Sequence, residues 1–182
     1  GTLRCGLVGT YQAKNAAVAI TAIELLQRKG WKISEQNLRD GLFTVCWPAR
    51  FELLRRNPIF IADGGHNPQG IAAVTASLKE HFVNQKITFL MGVMADKDIP
   101  QMLDQLIPLA KAFVTVTPNN PRALNADVLA AMLNERGMDT DSYSSVADGV
   151  NRVIELAGPT GIVCALGSLY LLGDVRNALG TD

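Results

Sequence analysis

Residues 59–68 constrain the fold most, because an apolar run there ends abruptly in Asp-Gly-Gly-His-Asn-Pro. The apolar residues are mostly β-branched or aromatic, which is typical of a strand buried on both faces. Asp63, His66 and Asn67 therefore follow the carboxyl end of a buried strand, where open α/β sheets bind ligands. The two glycines after Asp63 allow either a positive φ or a close approach of the backbone to a ligand.

Asn67 and Pro68 are a typical N-cap and first-turn pair, and they predict a helix that runs through Phe82. On this stretch alone a second interpretation is equally good, in which Asp63 and Asn67 only cap a turn. The neighbouring segments have to decide between the two.

Short apolar runs alternate with helical patterns from residue 47 onward. This alternation predicts an α/β fold with a mostly parallel, doubly wound sheet flanked by helices. The first strand, 50–55, alternates polar and apolar residues and is expected at the sheet edge, with Asn57-Pro58 as its turn. The other predicted strands are 59–63, 86–93, 113–117, 141–145 and 161–166, and the predicted helices are 68–82, 99–109, 126–135, 146–156 and one that Gly167-Ser168 opens.

Residues 1–46 predict a pair of helices packed to one side of the sheet. The first begins at Asn15, has apolar residues at helical spacing and ends at Gly30. Ser34 with Asn37 predicts the start of the second, which closes before Trp47-Pro48. The chain lacks an initiating methionine and starts within a pattern, so we also expect a fragment of a longer protein.

The charge balance argues against some classes of partner. Lys plus Arg and Asp plus Glu both number 17, so the formal net charge is zero, which disfavours nucleic acid and anionic membranes. No apolar run is long enough to span a bilayer.

The unclustered Cys5, Cys46 and Cys164 favour reduced thiols in a cytoplasmic protein over a disulfide, and two of them are expected in apolar, core surroundings.

Two further polar groups follow predicted buried strands. One is Asp96-Lys97-Asp98, for which the alternative is a solvated turn. The other is Gly167-Ser168, which can hold an anion on free helix N–H groups or simply cap the helix. Because parallel strands share one carboxyl edge, both groups are predicted to face the same crevice as Asp63.

Arg50 and His66 each allow two interpretations. Arg50 lies where the helical pair gives way to strands, so it forms a surface salt bridge or reaches across a cleft to phosphate. His66 is a general base or a loop histidine with satisfied hydrogen bonds, and His81 is expected on the surface. The sequence has no G-x-x-x-x-G-K-[ST], no paired C-x-x-C and no H-E-x-x-H, so we assign no metal ligand.

Six segments, taken in order, resemble those of folylpolyglutamate synthases, which are members of the Mur ligase superfamily. The resemblance covers essentially the whole chain, and the order and spacing of the segments make it specific. Residues 9–16 are similar to G-x-H-Q-x-x-N-A, 47–52 to W-P-G-R-F-E, 63–68 to D-G-A-H-N-P and 92–98 to G-x-x-x-D-K-D, with 121–122 and 167–171 as later matches.

The resemblance implies a ligase that joins L-glutamate to the γ-carboxyl of a folate, or acts on a dihydropteroate substrate, through an acyl phosphate made from ATP with Mg²⁺. Arginine suits charge that develops on a phosphoryl group, and a helix N-terminus suits a carboxylate. The residues implied are Gln12, Asn15, Arg50 and Asp63 for ATP; His66 and Ser168 for glutamate; Arg50, Asp63 and His66 for catalysis; and Asn67, Lys97 and Asp98 as weaker candidates.

The resemblance also divides the chain. Residues 1–46 correspond to the last helices of the family's ATPase domain, and 47–182 to its Rossmann-like C-terminal glutamate-ligase domain. The family's phosphate-binding loop, magnesium ligands and most of the folate pocket would precede residue 1, so we expect the chain alone to be inactive. Arg50 and Asp63 are expected at the cleft between the domains, where neither is needed for packing.

Three residues depart from the family pattern: Tyr11 replaces the usual histidine, Ala49 the usual glycine and Gly65 the usual alanine. Ala49 constrains the backbone more than glycine would. Tyr11 removes a possible polar partner near the nucleotide, so it is left out of the predicted site.

Other functions stay open at this point. Another Mur-type ligase, such as one for a peptidoglycan precursor, is disfavoured by Asp-Gly-Gly-His-Asn. A Rossmann-like nucleotide-binding module without ligase activity would need the absent G-x-G-x-x-G spacing. A purely structural interaction domain leaves the polar strand ends unexplained. Dihydrofolate synthase activity, the form of folate and the oligomeric state stay open, with a monomer the simplest expectation.

Overall fold

Six strands form one sheet in the computed structural model, which describes residues 2–181. The strands are β1 (Glu52–Arg56), β2 (Ile59–Ala62), β3 (Ile87–Met91), β4 (Ala110–Val116), β5 (Thr140–Tyr143) and β6 (Ile162–Leu166). They lie in the order β1-β2-β6-β3-β4-β5; β1 runs antiparallel to β2, and the other pairs are parallel. The predicted mostly parallel α/β sheet with an edge strand at its start is confirmed.

The helices of the described chain follow the predicted order. They are α1 (Gln12–Arg28), α2 (Glu35–Thr44), α3 (Pro68–His81), α4 (Ile99–Leu106), α5 (Ala126–Asn134), α6 (Val146–Ala157) and α7 (Leu169–Leu179). The predicted helix 99–109 is shorter than expected, because a 3₁₀ turn, Ile107–Leu109, follows α4.

The helix caps that the sequence indicated are present. Ser34 Oγ accepts from the Asn37 N–H at 3.1 Å, and the Asn37 side chain accepts from the Ser34 N–H at 3.0 Å, so α2 begins in a capping box. Asn67 Oδ1 caps α3 by accepting from the Gly70 N–H at 2.7 Å. α1 begins at Gln12, earlier than predicted. The residue before it makes no side-chain cap, so no capping signal in the sequence marked this start.

Apolar side chains form a separate core on each face of the sheet. Helices α3, α4 and α5 cover one face, where Phe89 stacks on Phe113 with ring centroids 5.2 Å apart. Helices α6 and α7 cover the other face and pack against Leu90 and Val114. Successive residues of a strand point to opposite faces, so Phe89 and Leu90 belong to different cores. Residues 47–181, which contain both cores, are called the sheet domain below.

Residues 2–46, called the helical pair below, bury far less. Gln12 is the one buried residue in this segment, and Val18 and Trp31 are 71% and 61% exposed. The segment contacts the sheet domain just before α1, where the Thr10 N–H donates to Ser77 Oγ at 3.0 Å.

The three cysteines are free, as expected, but their positions differ from the prediction. Cys164 is buried on β6, whereas Cys5 and Cys46 are exposed, so the expectation of two core cysteines is wrong. Cys5 and Cys46 lie near the two ends of the helical pair, which buries too few side chains to enclose them. Among the helices described between residues 2 and 181, none has the length and apolar character to cross a membrane.

Candidate functional site

The carboxyl ends of β2, β3 and β6 meet at one edge of the sheet, as predicted. Hydrogen bonds continue between the loops that follow them: the Gly167 N–H donates to the Gly65 carbonyl at 2.9 Å, and the Gly92 N–H to the Leu166 carbonyl at 3.3 Å. Gly167 has a φ of 105°, and a Cβ there would lie 2.6 Å from the Gly92 oxygen. Glycine is therefore required at position 167 for the start of α7 to lie against the segment that follows β3.

The Asp63 carboxylate lies at this edge and is 2% exposed. Its Oδ2 accepts from the Tyr11 hydroxyl at 2.7 Å and from the Phe51 N–H at 2.8 Å, and its Oδ1 accepts from the Gly65 N–H at 2.8 Å. Burial raises the pKa of Asp63, while these hydrogen bonds and Arg50 act in the opposite direction. Because the carboxylate joins three segments of the chain, the expectation that Asp63 is not needed for packing is wrong.

Tyr11 is a residue of this site that the sequence analysis left out. Its pKa is raised well above the ordinary value, mainly by burial and then by the neighbouring Asp63, so its hydroxyl keeps its proton and donates. The local signal was no more than a hydroxyl-bearing side chain beside Gln12. Its partner lies 52 positions along the chain, and no pattern of spacing connects the two.

Arg50 lies between two cavities and is half-buried. Within residues 2–181 its guanidinium forms no ion pair, so the interpretation as a surface salt bridge is wrong. The residues on either side, Ala49 with φ 63° and Phe51 with φ 49°, have the left-handed backbone that residues with a Cβ rarely adopt. The family's usual glycine at position 49 matches this conformation.

Gly64 allows the Arg50 side chain to lie against the loop after β2. A Cβ at Gly64 would lie 3.1 Å from Arg50 Nη1 and would overlap the side chain of Leu169. Neither Gly64 nor Gly65 has a positive φ, so the first of the two roles predicted for these glycines is wrong. At Gly64 the second role applies, because the side chains of Arg50 and Leu169 lie close to its backbone.

The smaller of the two cavities, about 380 Å³, is bounded by the loop after β2. His66 lines it, and its Nδ1 lies 2.7 Å from the Gly64 carbonyl oxygen. Since a carbonyl only accepts, Nδ1 donates, and in the neutral ring Nε2 is left as an acceptor. The other polar residues on the wall are Tyr11, Asn15, Arg50, Asp63, Asn67 and Gln69.

The larger cavity, about 520 Å³, lies between α1 and α2 and has mostly apolar walls. Gln12 and Asn15 supply polar groups, and Gln12 Oε1 accepts from Asn15 Nδ2 at 3.0 Å. Gln12 is 3% exposed, and its Nε2 has no hydrogen-bond partner within the described residues. A buried donor without a partner is costly, so this cavity favours a ligand that carries an acceptor.

Three of the predicted site residues line neither cavity. Ser168 is 2% exposed and caps α7, with its Oγ accepting from the Tyr170 N–H at 3.2 Å. Asp98 caps α4 by accepting from the Gln101 N–H at 3.2 Å. Lys97 pairs with Asp96 at 3.1 Å. These contacts agree with the local alternatives, a helix cap and a charged turn, without testing a role toward a ligand.

The described residues offer little to a metal ion. Between residues 2 and 181, no group of three His, Cys, Asp or Glu side chains is arranged to hold one. Asp63, the buried acid of the site, already accepts three hydrogen bonds. Magnesium is usually held by one or two carboxylates together with water and substrate phosphates, so we assign no magnesium ligand among residues 2–181.

Comparison with known proteins gives consistent matches. The family described as "Mur ligase, glutamate ligase domain" matches residues 49–169. The folylpolyglutamate synthase of Lacticaseibacillus casei is 36% identical over 97% of this chain and 40% of its own length. The dihydrofolate synthase/folylpolyglutamate synthase of Bacillus subtilis is 34% identical over 97% of this chain and 41% of its own length.

A solved structure also resembles the whole described fold. The folylpolyglutamate synthase of Mycobacterium tuberculosis, complexed with ADP and AMPPCP, superposes with a TM-score of 0.87 at 27% identity. The match covers 98% of this chain and 42% of the other. The chain thus spans about two fifths of the length of each of these three relatives.

Proposed function

This chain belongs to the Mur ligase family and carries its glutamate ligase domain, and we propose on that basis that it is part of a folylpolyglutamate synthase. The proposed reaction uses ATP to join L-glutamate to the γ-carboxyl of a folate. One observation carries the proposal beyond the family: Arg50, unpaired among the described residues, lies between two cavities of different character. A cation placed there suits a phosphoryl group passing from one ligand to another.

The larger cavity is proposed to take the base of ATP. Its apolar walls suit a flat ring, and the unpartnered Gln12 Nε2 suits a ring acceptor, with Asn15 beside it. A nucleotide seated there would extend its phosphates toward Arg50. Asp63 would act on ATP indirectly: it accepts a hydrogen bond from the Phe51 N–H and so holds the backbone next to Arg50 in place.

The smaller cavity is proposed to take L-glutamate. His66 lies on its wall, and in the first turn of α3 the Gln69 N–H is left to donate to a carboxylate. Pro68 has no N–H, and the Gly70 N–H already donates to Asn67 Oδ1. Ser168 would contribute through the start of α7, since its hydroxyl is buried and already caps that helix. Asn67, Lys97 and Asp98 stay weaker candidates, because each already makes a local contact.

The proposed chemistry has two steps. A folate carboxylate oxygen attacks the γ-phosphorus, ADP leaves, and an acyl phosphate forms. The glutamate amine then attacks the acyl carbon, phosphate leaves, and the amine loses a proton, for which His66, on the wall of the smaller cavity, is the candidate base. Arg50 stabilises the charge on the transferred group. No step is assigned to Mg²⁺, since no group of three His, Cys, Asp or Glu side chains between residues 2 and 181 is arranged to hold a metal ion.

We further propose that residues 1–46 complete an ATPase domain, and that residues 47–182 form the C-terminal ligase domain. The exposed apolar residues of the helical pair and the partial coverage of the relatives support this division. The chain alone is then expected to hydrolyse no ATP. The name of the Bacillus subtilis relative supports dihydrofolate synthase activity as a second activity of the same site.

The test is Arg50→Ala in the complete polypeptide, with Arg55→Ala, at an exposed arginine of β1, as the matched control. Loss of a phosphate-facing cation is expected to lower kcat by about a hundredfold or more. Arg50→Ala in the 182-residue chain is expected to change the free energy of unfolding by about 0.5 kcal/mol at most. A destabilised chain together with near-normal turnover would make Arg50 a structural residue and would remove the proposal's main support.

A further inference from the structure

The Asp63 carboxylate gathers donors from three separate parts of the chain. The Tyr11 hydroxyl comes from the segment before α1, the Phe51 N–H from the segment before β1, and the Gly65 N–H from the loop after β2. All three donor–acceptor distances lie between 2.7 and 2.8 Å. Hydrogen bonds to an ionised acceptor are stronger than neutral ones, so this carboxylate fixes the relative positions of the three segments.

Two of these donors adjoin residues to which the proposed function assigns chemistry. Phe51 directly follows Arg50, and Gly65 directly precedes His66. A shift of the carboxylate would therefore move the Arg50 side and the His66 side of the smaller cavity relative to each other. Misplacement of reacting groups by about 1 Å can cost a hundredfold in rate.

Tyr11 differs from the other two donors. Its contact is made by a side chain, and it comes from the helical pair rather than from the sheet domain. Tyr11 also lines the smaller cavity together with Arg50 and His66. The contact thus links the placement of the helical pair, which contributes Gln12 and Asn15 to the larger cavity, to the geometry of the smaller one.

We propose that Tyr11 is a positioning residue of the ligase reaction, whose hydroxyl fixes Asp63 and, through Asp63, the relative placement of Arg50 and His66. This inference rests on the proposed function and deepens it. Tyr11 then affects kcat, in addition to connecting the helical pair to the sheet domain.

A second contact provides the control for a merely structural tie. Ser77 of α3 is fully buried and accepts from the Thr10 N–H at 3.0 Å, with the Thr10 hydroxyl 3.2 Å away. Ser77→Ala removes this contact, one residue from Tyr11, and leaves the hydrogen bonds of Asp63 in place. Tyr143→Phe, on β5 at the far edge of the sheet, controls for loss of a phenol hydroxyl in general.

The experiment measures steady-state kinetics of the complete polypeptide with ATP, L-glutamate and a folate. Tyr11→Phe is expected to lower kcat by about tenfold or more while KM for ATP changes by about twofold or less, since geometry rather than nucleotide affinity is lost. Ser77→Ala and Tyr143→Phe are expected to keep the kcat of the unmodified enzyme.

A readout on the 182-residue chain accompanies the kinetics. The groups that face Asp63 and carry or can lose a proton are Tyr11, Arg50 and the buried Cys164. The Tyr11 hydrogen bond lowers the pKa of Asp63, so Tyr11→Phe is expected to raise the carboxyl titration midpoint in carbon-13 NMR. The amide resonances of Phe51 and Gly65 should shift in the same variant and not in Ser77→Ala.

The outcomes separate this inference from the function on which it rests. Equal losses of kcat in Tyr11→Phe and Ser77→Ala would reduce Tyr11 to a structural tie and overturn the inference. Normal turnover in Tyr11→Phe with turnover lost in Arg50→Ala would overturn it while the proposed function stands. Absence of glutamate ligase activity in the unmodified polypeptide would overturn both.

Discussion

Residues 47–181 and residues 2–46 differ in where their apolar side chains lie. In the sheet domain, Phe89, Leu103 and Val163 are fully buried, and helices cover both faces of the sheet. In the helical pair, Val18 and Leu25 are 71% and 52% exposed although they lie on a regular helix. Burial of apolar area is the main source of folding free energy, so the two regions contribute unequally to stability.

The difference separates stability from assembly of the site. The sheet domain fixes Asp63 and His66 at the end of β2, on a rigid core. The helical pair adds little core, yet it supplies Tyr11, Gln12 and Asn15 to the two cavities. The candidate site therefore depends on a few polar contacts across the boundary, and substitutions in the two regions should affect different properties.

The largest expected effect is the cost of emptying the core. Phe89→Ala removes a fully buried ring that stacks on Phe113 and should lower the free energy of unfolding by about 3–5 kcal/mol. Leu25→Ala, the counterpart on α1, should change it by about 0.5 kcal/mol at most. Urea unfolding followed by circular dichroism measures both. Equal losses would mean that the helical pair belongs to the same cooperative core.

The capped helices and the sheet could be predicted because their signals are local. Ser34 with Asn37 and Asn67 with Pro68 stand next to the helices they begin, and the structure confirms both caps. The alternation of short strands and helices likewise predicted the edge of the sheet at which Asp63 lies. Neighbouring residues were sufficient for these features.

The contacts within the site could not be predicted, because they are tertiary or break a local rule. No spacing relates Tyr11 to Asp63, which lie 52 positions apart. Ala49 and Phe51 have positive φ values that residues with a Cβ seldom adopt, so the residue types at these two positions did not indicate them. The depth of Asp63 also depends on α1 approaching the loop after β2, and only the assembled fold determines that approach.

A second prediction concerns the buried carboxylate at the boundary. Asp63→Asn keeps the size of the side chain but places an amide N–H₂ against one of three N–H or O–H donors. A buried donor left without an acceptor costs about 1–3 kcal/mol, so the variant should be less stable than the unmodified chain by about that amount where Asp63 is ionised.

The pH dependence of this difference has a definite sign. Burial raises the folded-state pKa of Asp63, so the folded chain holds the proton more tightly than the unfolded chain, whose Asp pKa is about 3.9. Stability from this group is therefore present below the unfolded pKa and is lost as the pH rises through the folded pKa. The advantage of the unmodified chain over Asp63→Asn should narrow from about pH 4 upward. An advantage that grows with pH would show that the pKa of Asp63 is lowered.

Helical glycines provide a third test of the contrast between the regions. A Cβ at Gly149 of α6 would overlap Val116 and lie 3.2 Å from Leu90 Cδ1, so Gly149→Ala should cost about 1–3 kcal/mol through overpacking. A Cβ at Gly41 of α2 meets nothing within 4 Å. Gly41→Ala should therefore stabilise α2 by about 1 kcal/mol through helix propensity.

Gly173→Ala on α7 controls for the region itself, because its Cβ also meets nothing within 4 Å although it lies in the sheet domain. It should stabilise like Gly41→Ala. Thermal unfolding measures the two variants of the sheet domain, and hydrogen exchange of the α2 amides measures Gly41→Ala. Stabilisation by Gly149→Ala would show that α6 lies farther from the sheet than described.

The smallest expected effect is at Ala49, where two terms oppose each other. Ala49 has a φ of 63°, and glycine would relieve a left-handed strain of about 1–2 kcal/mol. Glycine would also lose a buried methyl worth about 0.8 kcal/mol and would add freedom to the unfolded chain at about 0.5–1 kcal/mol. Because these terms nearly cancel, Ala49→Gly should change the free energy of unfolding by about 0.5 kcal/mol at most.

Ala49→Val tests the same backbone in the opposite direction. A β-branched side chain is a true outlier at positive φ, and Ala49 is only 7% exposed, so strain and overpacking should together cost about 2 kcal/mol or more. Urea unfolding of both variants decides the matter. If Ala49→Val were as stable as the unmodified chain, the backbone at this position would not be left-handed, and the placement of Arg50 between the two cavities would lose its local cause.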